Sequence, residues 1–428
     1  MSIFKMVVIG IFSVSIVAAL ILFALSKTTS QGQSYNLAIW GTVSSDAFNA
    51  AYKNSSLKAN KLVTITYFQK DPATFDSQFV EALAEGRGPD MVVLRDDYIY
   101  KQQKKLFVIP YKNYTERLFR DTFIEEGELF LSKDGVVAAP FVVDPLVMYW
   151  NRDIFSANQI STPPRYWDEI YPLVEKITKK DTAGNILQST VAFGESRNVT
   201  NSKEIISMLL LQAGTPITER RTTPPGLASV LNFQFNYPVT PSESAISFYT
   251  QFSNPTSPSY SWNRSLPSSL NMFLSGKLAM YIGFASEIFS IQQKNSNLNF
   301  DVTSVPQVRN SPKQIVFGHM YALSIVKQSK QIAGAFIALS ALTEATSLRE
   351  METVTNLPPV RRDMLVNKPT DAFRSVFYNA ALISHTWIDP DGPASANTFR
   401  DMIESITSGR LRQSEALRRA NDELTAQI

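Results

Sequence analysis

The chain has 428 residues, 44% hydrophobic and only 18% charged, with 27 Phe and 16 Tyr; it is too long for one ordinary core and too apolar for a disordered chain, so two or three domains are expected. The net charge of +3 without a basic tract gives no electrostatic footprint for nucleic acid. The absence of cysteine excludes disulfides, thiolate metal sites, cysteine nucleophiles and a lipid-bearing cysteine at a processed N-terminus.

Met6 to Leu25 carries no charge and is flanked by Lys5 and Lys27. As a helix it would span roughly 30 Å, the thickness of a bilayer core. A cleaved signal has a shorter apolar region, so an uncleaved anchor over residues 1–27 is expected, although Ala24-Leu25-Ser26 also suits cleavage. Residues 28–35 read as a polar linker, and the bulk of the chain is expected outside the cytoplasm.

Leu37 to Gly41 reads as a strand that carries Trp40, and a helix capped at Ser44, Ser45 or Asp46 follows. Leu62 to Phe68 alternates and is β-branched, so it predicts a second strand. Asp71-Pro72 opens a helix with Phe75, Phe79 and Leu83 at helical spacing, and Gly86 to Pro89 ends it. Asp90 to Leu94 is a third strand. This alternation predicts an α/β lobe with a largely parallel sheet. Ligands in such sheets sit beyond the carboxyl ends of the strands, which places Asp96 and Asp97 on that rim. Capping the next helix is the commoner fate of an aspartate at that position.

Glu125, Glu126 and Glu128 read as a solvated helix face. The stretch Gly135 to Phe155 is apolar but interrupted by Pro140 and Pro145, with Asp144 between them. Proline removes a donor and fixes φ, so two short strands joined by a stiff crossing are expected. Asp144 then lies in a cleft between lobes or, equally, at an exposed turn.

Helices are expected from the Pro163–Glu169 segment to about Lys179, from Lys203 to Gln212 and from Ser242 to Phe252, and a loop over 214–225. Asn254 to Ser269 is dense in Pro, Ser and Asn around Trp262, which is either a lid on a small core or a stacking platform. Ala279 to Phe284 and Phe300 to Val305 read as strands. Gln314 to Val326 repeats the pattern of two apolar halves, here meeting at Gly318-His319. Leu357 to Val360 is a further stiff break, and helices follow to the end. Asp389-Pro-Asp-Gly392 reads as a turn, because Arg400 stands where a calcium loop places its glutamate. No phosphate-cradling loop or nucleophile elbow occurs, and two distant histidines make a zinc site improbable. No metal, cofactor or catalytic residue is expected.

The order of motifs resembles the extracellular solute-binding proteins of carbohydrate-type ABC importers, in their maltose-binding branch. Leu37-Ala-Ile-Trp-Gly41, Phe79 to Val93, Gly135 to Phe155, Pro163 to Glu169, Phe273 to Met280 and Leu357 to Asp363 each resemble a family segment, in the family's order. The resemblance implies a type II periplasmic-binding-protein fold, α/β and two-lobed, with three hinge crossings, here preceded by a transmembrane helix. It implies one lobe of 36–142 with 319–356 and another of 144–316 with 358–428. It also implies a monomeric, non-enzymatic binding protein, tethered to the cytoplasmic membrane through residues 6–25. That protein delivers a sugar or oligosaccharide to ABC transporter permease subunits. The ligand-contacting residues expected are Trp40, Asp96, Asp97, Asp144, Trp262, Phe284, His319 and Arg361. Carboxylates accept hydrogen bonds from adjacent hydroxyls, and aromatic faces stack on the apolar side of a pyranose. Leu94 and Ser286 stand where the maltose-binding pattern has tryptophan, so the aromatic platform departs from it. Two rival readings remain. One is a tethered glycan hydrolase, which would need Asp97 and Asp144 at the spacing of a glycosidase acid pair. The other is a non-binding sensor or scaffold, which a collapsed or plugged cleft would mark.

Overall fold

The computed structural model describes residues 34–428 apart from 60, 61 and 224. The expected anchor over 1–27, with most of the linker after it, lies outside the described residues. No helix among the described residues is long and apolar enough to cross a membrane.

Fourteen strands are present among the described residues: β1 (Tyr35–Gly41), β2 (Val63–Gln69), β3 (Met91–Arg95), β4 (Ile109–Pro110), β5 (Gly135–Val136), β6 (Ala139–Asn151), β7 (Lys179–Lys180), β8 (Ile186–Val191), β9 (Thr218–Thr222), β10 (Pro225–Ser229), β11 (Leu278–Phe284), β12 (Phe300–Thr303), β13 (Val316–Ile325) and β14 (Ser384–His385). The main sheet runs β2-β1-β3-β13-β6-β11-β8-β7, with β12 also on β6 and β14 on β13. β1 is parallel to β2 and β3, whereas β13 is antiparallel to both β3 and β6.

The two prolines do not divide the Gly135–Phe155 stretch as expected. β6 is one strand of 13 residues that passes through both. Pro140 lies opposite Ala322 beside a bulge: Val142 pairs with Tyr321, and Phe141 is left out of the ladder. Pro145 lies opposite Gly318, where β6 gives up pairing with β13 and takes up β11 at Leu146. Each missing donor thus falls at a bulge or at a change of partner, where the ladder needs it least. β13 is likewise continuous through Gly318-His319. The expected loop at 214–225 forms part of the β9–β10 hairpin; Pro225 opens its second strand, a position that tolerates proline.

Two cores flank these long strands. The first gathers β1–β3, Phe141 to Val143 of β6, Met320 to Ile325 of β13, and Val360, Met364 and Leu365. The second gathers Leu146 to Tyr149, Val316, Phe317, β11 and the C-terminal helices. Both crossing strands change core within three residues, and Asp144 faces His319 in the register at that change. The helix Ala372–Leu382 spans the divide: Phe377 and Ala380 enter the second core, Tyr378 and Ala381 the first.

Candidate functional site

β3 delivers Arg95 to the lobe boundary, and the helix Asp96–Gln102 begins at once, so both aspartates occupy its first turn. A carboxylate is favoured there by the unpaired N–H groups of the helix start. Neither aspartate acts as a cap. Asp96 Oδ1 accepts from the backbone N–H of Met320 at 3.1 Å and pairs with His319 Nδ1 at 2.9 Å. Its Oδ2 accepts from the Thr386 hydroxyl at 2.8 Å. Asp97 is gripped through both oxygens by Arg95, at 2.7 and 2.6 Å. Both aspartates are only 2% exposed.

His319 sits between acids of the two lobes. Its Nε2 lies 3.4 Å from Glu204 Oε1, on the helix Ser202–Ala213 of the second core. Phe284 stacks on the ring, with centroids 5.0 Å apart, and Phe317 meets it edge-on. Burial opposes a charge on His319, but Asp96 and Glu204 outweigh it and push its pKa up to about 9. Burial also acts against the Asp97 carboxylate, yet Arg95, Lys203 and His319 hold it well below the usual carboxylate range. Asp144, pushed up to about 6 by burial, accepts the backbone N–H of Ser286 at 3.0 Å.

A second cation closes the other end of the seam. Lys203 Nζ lies 2.6 Å from Asp389 Oδ2, donates to the Gly392 carbonyl at 3.0 Å, and reaches Asp97 Oδ2 at 3.9 Å. Lys203 is buried, and Asp389, Asp97 and Glu204 raise its pKa against the effect of burial.

The structure therefore brings together Asp96, Asp97, Asp144, Phe284 and His319. Trp40 is half-buried at the end of β1 with Lys70 Nζ 3.8 Å above its ring. Trp262 is no platform. It is fully buried in the second core, and its Nε1–H donates to Asn198 Oδ1 at 3.2 Å. The turns of its loop fold inward: the Ser189 hydroxyl donates to the Ser261 carbonyl and the Trp262 N–H to the Phe252 carbonyl. Arg361 engages Asp363 and the Thr343 carbonyl, away from this cluster.

Glu126 departs from the solvated face expected of it. It is 3% exposed, and burial pushes its pKa up to about 8. Neither of its oxygens has a hydrogen-bond partner among the described residues. The Ser384 hydroxyl opposes the shift, and its oxygen too is without a hydrogen-bond partner among the described residues. A Cβ on Gly318 of β13 would meet both side chains.

Sequence reasoning missed Arg95, Lys203, Glu204, Thr386 and Asp389 as members of the seam. One signal was legible. Lys203 stands in the first turn of a helix, at the positive end of its dipole, where a lysine is unfavourable without acids close by.

Asp96, Asp97 and His319 offer ligand atoms within 4.8 Å of one another. A metal would need a neutral imidazole and free carboxylate oxygens. Here Asp96 and Glu204 favour the protonated imidazole, and Arg95 takes both Asp97 oxygens.

A family model described as bacterial extracellular solute-binding protein matches residues 45–373. No curated protein matches. Among solved structures, a cyclo/maltodextrin-binding protein complexed with maltotetraose is similar at a TM-score of 0.72 and 14% identity, over 94% of this chain and 99% of that one. The cyclic α-maltosyl-1,6-maltose binding protein from Arthrobacter globiformis is similar at 0.74 and 15%, over 92% and 99%. The GacH receptor of Streptomyces glaucescens, solved unliganded and with acarbose, is similar at 0.68 and 16%, over 92% and 99%. Such likeness establishes the two-lobed α/β fold.

Proposed function

The chain belongs to the bacterial extracellular solute-binding proteins, and from that premise we propose that its solute is a sugar or oligosaccharide, captured between the two lobes and passed to the permease subunits of an ABC importer. One observation carries this reading. The lobe boundary, crossed by β6 and β13, gathers acids from both sides: Asp96 and Asp97 against Glu204 and Asp389, with Asp144 at the crossing itself. Carboxylates that accept from paired hydroxyls are the chemistry a sugar needs, and a solute touching both lobes favours their closure. Trp40, beside the same rim, is the aromatic face proposed for stacking on a pyranose. The carbohydrate ligands of the structural neighbours, maltotetraose and acarbose, support the same class.

The proposed lobes are 36–142 with 319–356 and 144–316 with 358–428, except that Val360, Met364 and Leu365 pack back on the first core. The proposed tether is the apolar stretch 6–25, which would hold a monomer at the outer face of the cytoplasmic membrane. The test is a thermal-shift screen of the full-length chain against mono- and oligosaccharides, amino acids, peptides and polyols. A solute that binds only the folded state raises the midpoint by mass action. A rise with one sugar class, lost in Asp144→Ala, supports the reading; a rise only with amino acids or peptides overturns it.

The non-binding scaffold is kept as a second reading for a specific reason. The acids of the seam are already paired with the protein's own Arg95, Lys203 and His319. No response to any solute from folded protein would favour it.

A further inference from the structure

The seam between the lobes is built as an interaction in its own right. Asp97, Arg95, Asp96 and Lys101 come from the first lobe; Lys203, Glu204, Thr386, Asp389, Asp391 and Gly392 come from the second. Lys203 is the centre of it. Its ammonium lies between Asp389 of its own lobe and Asp97 of the other. Asp97 packs so closely on Gly392 that a Cβ there would stand 2.5 Å from Asp97 Oδ2. One step outward, Lys101 Nζ bridges Asp76 of its own lobe and Asp391 of the second, at 3.0 and 2.9 Å. One step inward, His319 joins Asp96 to Glu204, and Thr386 joins Asp96 from the second lobe. At the far side, Arg220 of the β9–β10 hairpin donates to the Leu129 carbonyl at 2.9 Å and to that of Leu131.

Lys203, His319 and Lys101 each meet an acid across the seam. The Lys203 and His319 contacts are buried, where screening by salt is weak, whereas Lys101 is partly exposed. A solute that closes two lobes does so by offering each lobe a partner; here side chains of the chain do the same.

We infer that Lys203, held in place by Asp389 of its own lobe, latches the two lobes shut through Asp97, so that closure in this protein is held by its own charges and does not depend on a bridging solute. The latch requires two lobes but no particular solute, so its test is run without sugar, and its failure leaves the carbohydrate reading standing.

The chain has no cysteine, so a label pair is introduced cleanly. Glu81→Cys on the helix Phe75–Ala84 and Asn397→Cys on the helix Gly392–Thr407 are both exposed and lie on opposite lobes. Spin-label distances are measured by pulsed electron paramagnetic resonance on the full-length chain. The expected result is one narrow, short distance in the parent and a shift of the population to longer distance in Lys203→Met. Asp389→Asn, which keeps the size of the side chain, is expected to shift it the same way and carries the test if Lys203→Met does not fold. Superimposable distributions in the parent and the variants would overturn the latch. So would a parent already spread over long distances.

Discussion

Two seams join the lobes, and they are made of different material. One is backbone: β6 and β13 run unbroken from one core to the other, with register fixed from Leu323↔Ala139 to Gly318↔Pro145. The other is charge: Arg95, Asp97, Lys203 and Asp389, with His319 and its two acids where the seams meet. The backbone seam holds by ladder hydrogen bonds and apolar packing, which do not themselves titrate. The charge seam holds by groups whose partners water can replace when the lobes part. The difference teaches which seam is free to move: one fixes where the lobes are joined, the other how closely they approach.

Breaking the backbone seam should have the largest effect. Phe317 is fully buried in β13 at the change of core. Phe317→Ala is expected to cost about 3–5 kcal/mol of unfolding free energy, by lost burial plus cavity. Chemical denaturation measures it, and a cost near 1 kcal/mol would show that the crossing is not a packed part of the core.

The second effect is pH. The folded pKa of His319, about 9, lies above its ordinary 6.5. Its contribution is therefore complete below about 6.5 and lost as pH rises through about 9; it is on the order of 3 kcal/mol. The groups facing His319 are Asp96, Arg95, Glu204, Asp97, Asp144 and Glu126. Glu126, at about 8, and Asp144, at about 6, also keep protons in the folded protein that the unfolded chain releases above its ordinary carboxylate range. All three slopes have the same sign, so stability should fall between about pH 5 and pH 9. The Arg95–Asp97 pair adds an opposite slope at lower pH, because the depressed Asp97 must be protonated as pH falls. Denaturation at pH 5, 7 and 9 checks this. His319→Gln should flatten the limb from 6.5 to 9, and Glu126→Gln the limb from 4.5 to 8.

The charge seam can also be wedged without changing its charge. Gly392→Ala places a methyl group against the Asp97 carboxylate, and overpacking of this kind costs about 1–3 kcal/mol. Because the lobes can part to relieve it, the cost is expected at the low end, with the label distance across the cleft lengthening as in Lys203→Met. An unchanged distance at full cost would mean that the seam is as rigid as the core.

The two seams were not equally legible in the sequence. Pro140, Pro145 and the Gly318-His319 break marked where the chain crosses, because proline and glycine act locally and their constraint is readable from one residue. That they sit inside continuous strands was not readable: the bulge at Phe141 and the change of partner at Pro145 depend on β13 and β11, which arrive some 130 to 180 residues later. Asp96, Asp97 and His319 were legible as polar residues at strand ends. Their partners were not, since Lys203, Glu204 and Asp389 gain meaning only when the second lobe is folded against the first. Trp262 failed for the opposite reason. A polar loop can fold back on a core, and the short turns that carry it inward leave no periodic signal.

The smallest effect separates the latch from the proposed sugar face. Lys70 Nζ lies 3.8 Å from the Trp40 ring centroid, and neither residue has a partner in the Asp96–His319–Lys203 network. Lys70→Ala should therefore cost only about 0.5–1 kcal/mol, the value of one partly exposed cation–π contact. It should leave the label distance across the cleft unchanged. It also uncovers an aromatic face beside the rim, where an apolar sugar face would stack, so affinity for whichever sugar raises the midpoint in the thermal-shift screen, measured by calorimetry, is expected to rise slightly. A loss of affinity would instead make Lys70 a contact to the solute, with its ammonium rather than the indole facing the cleft.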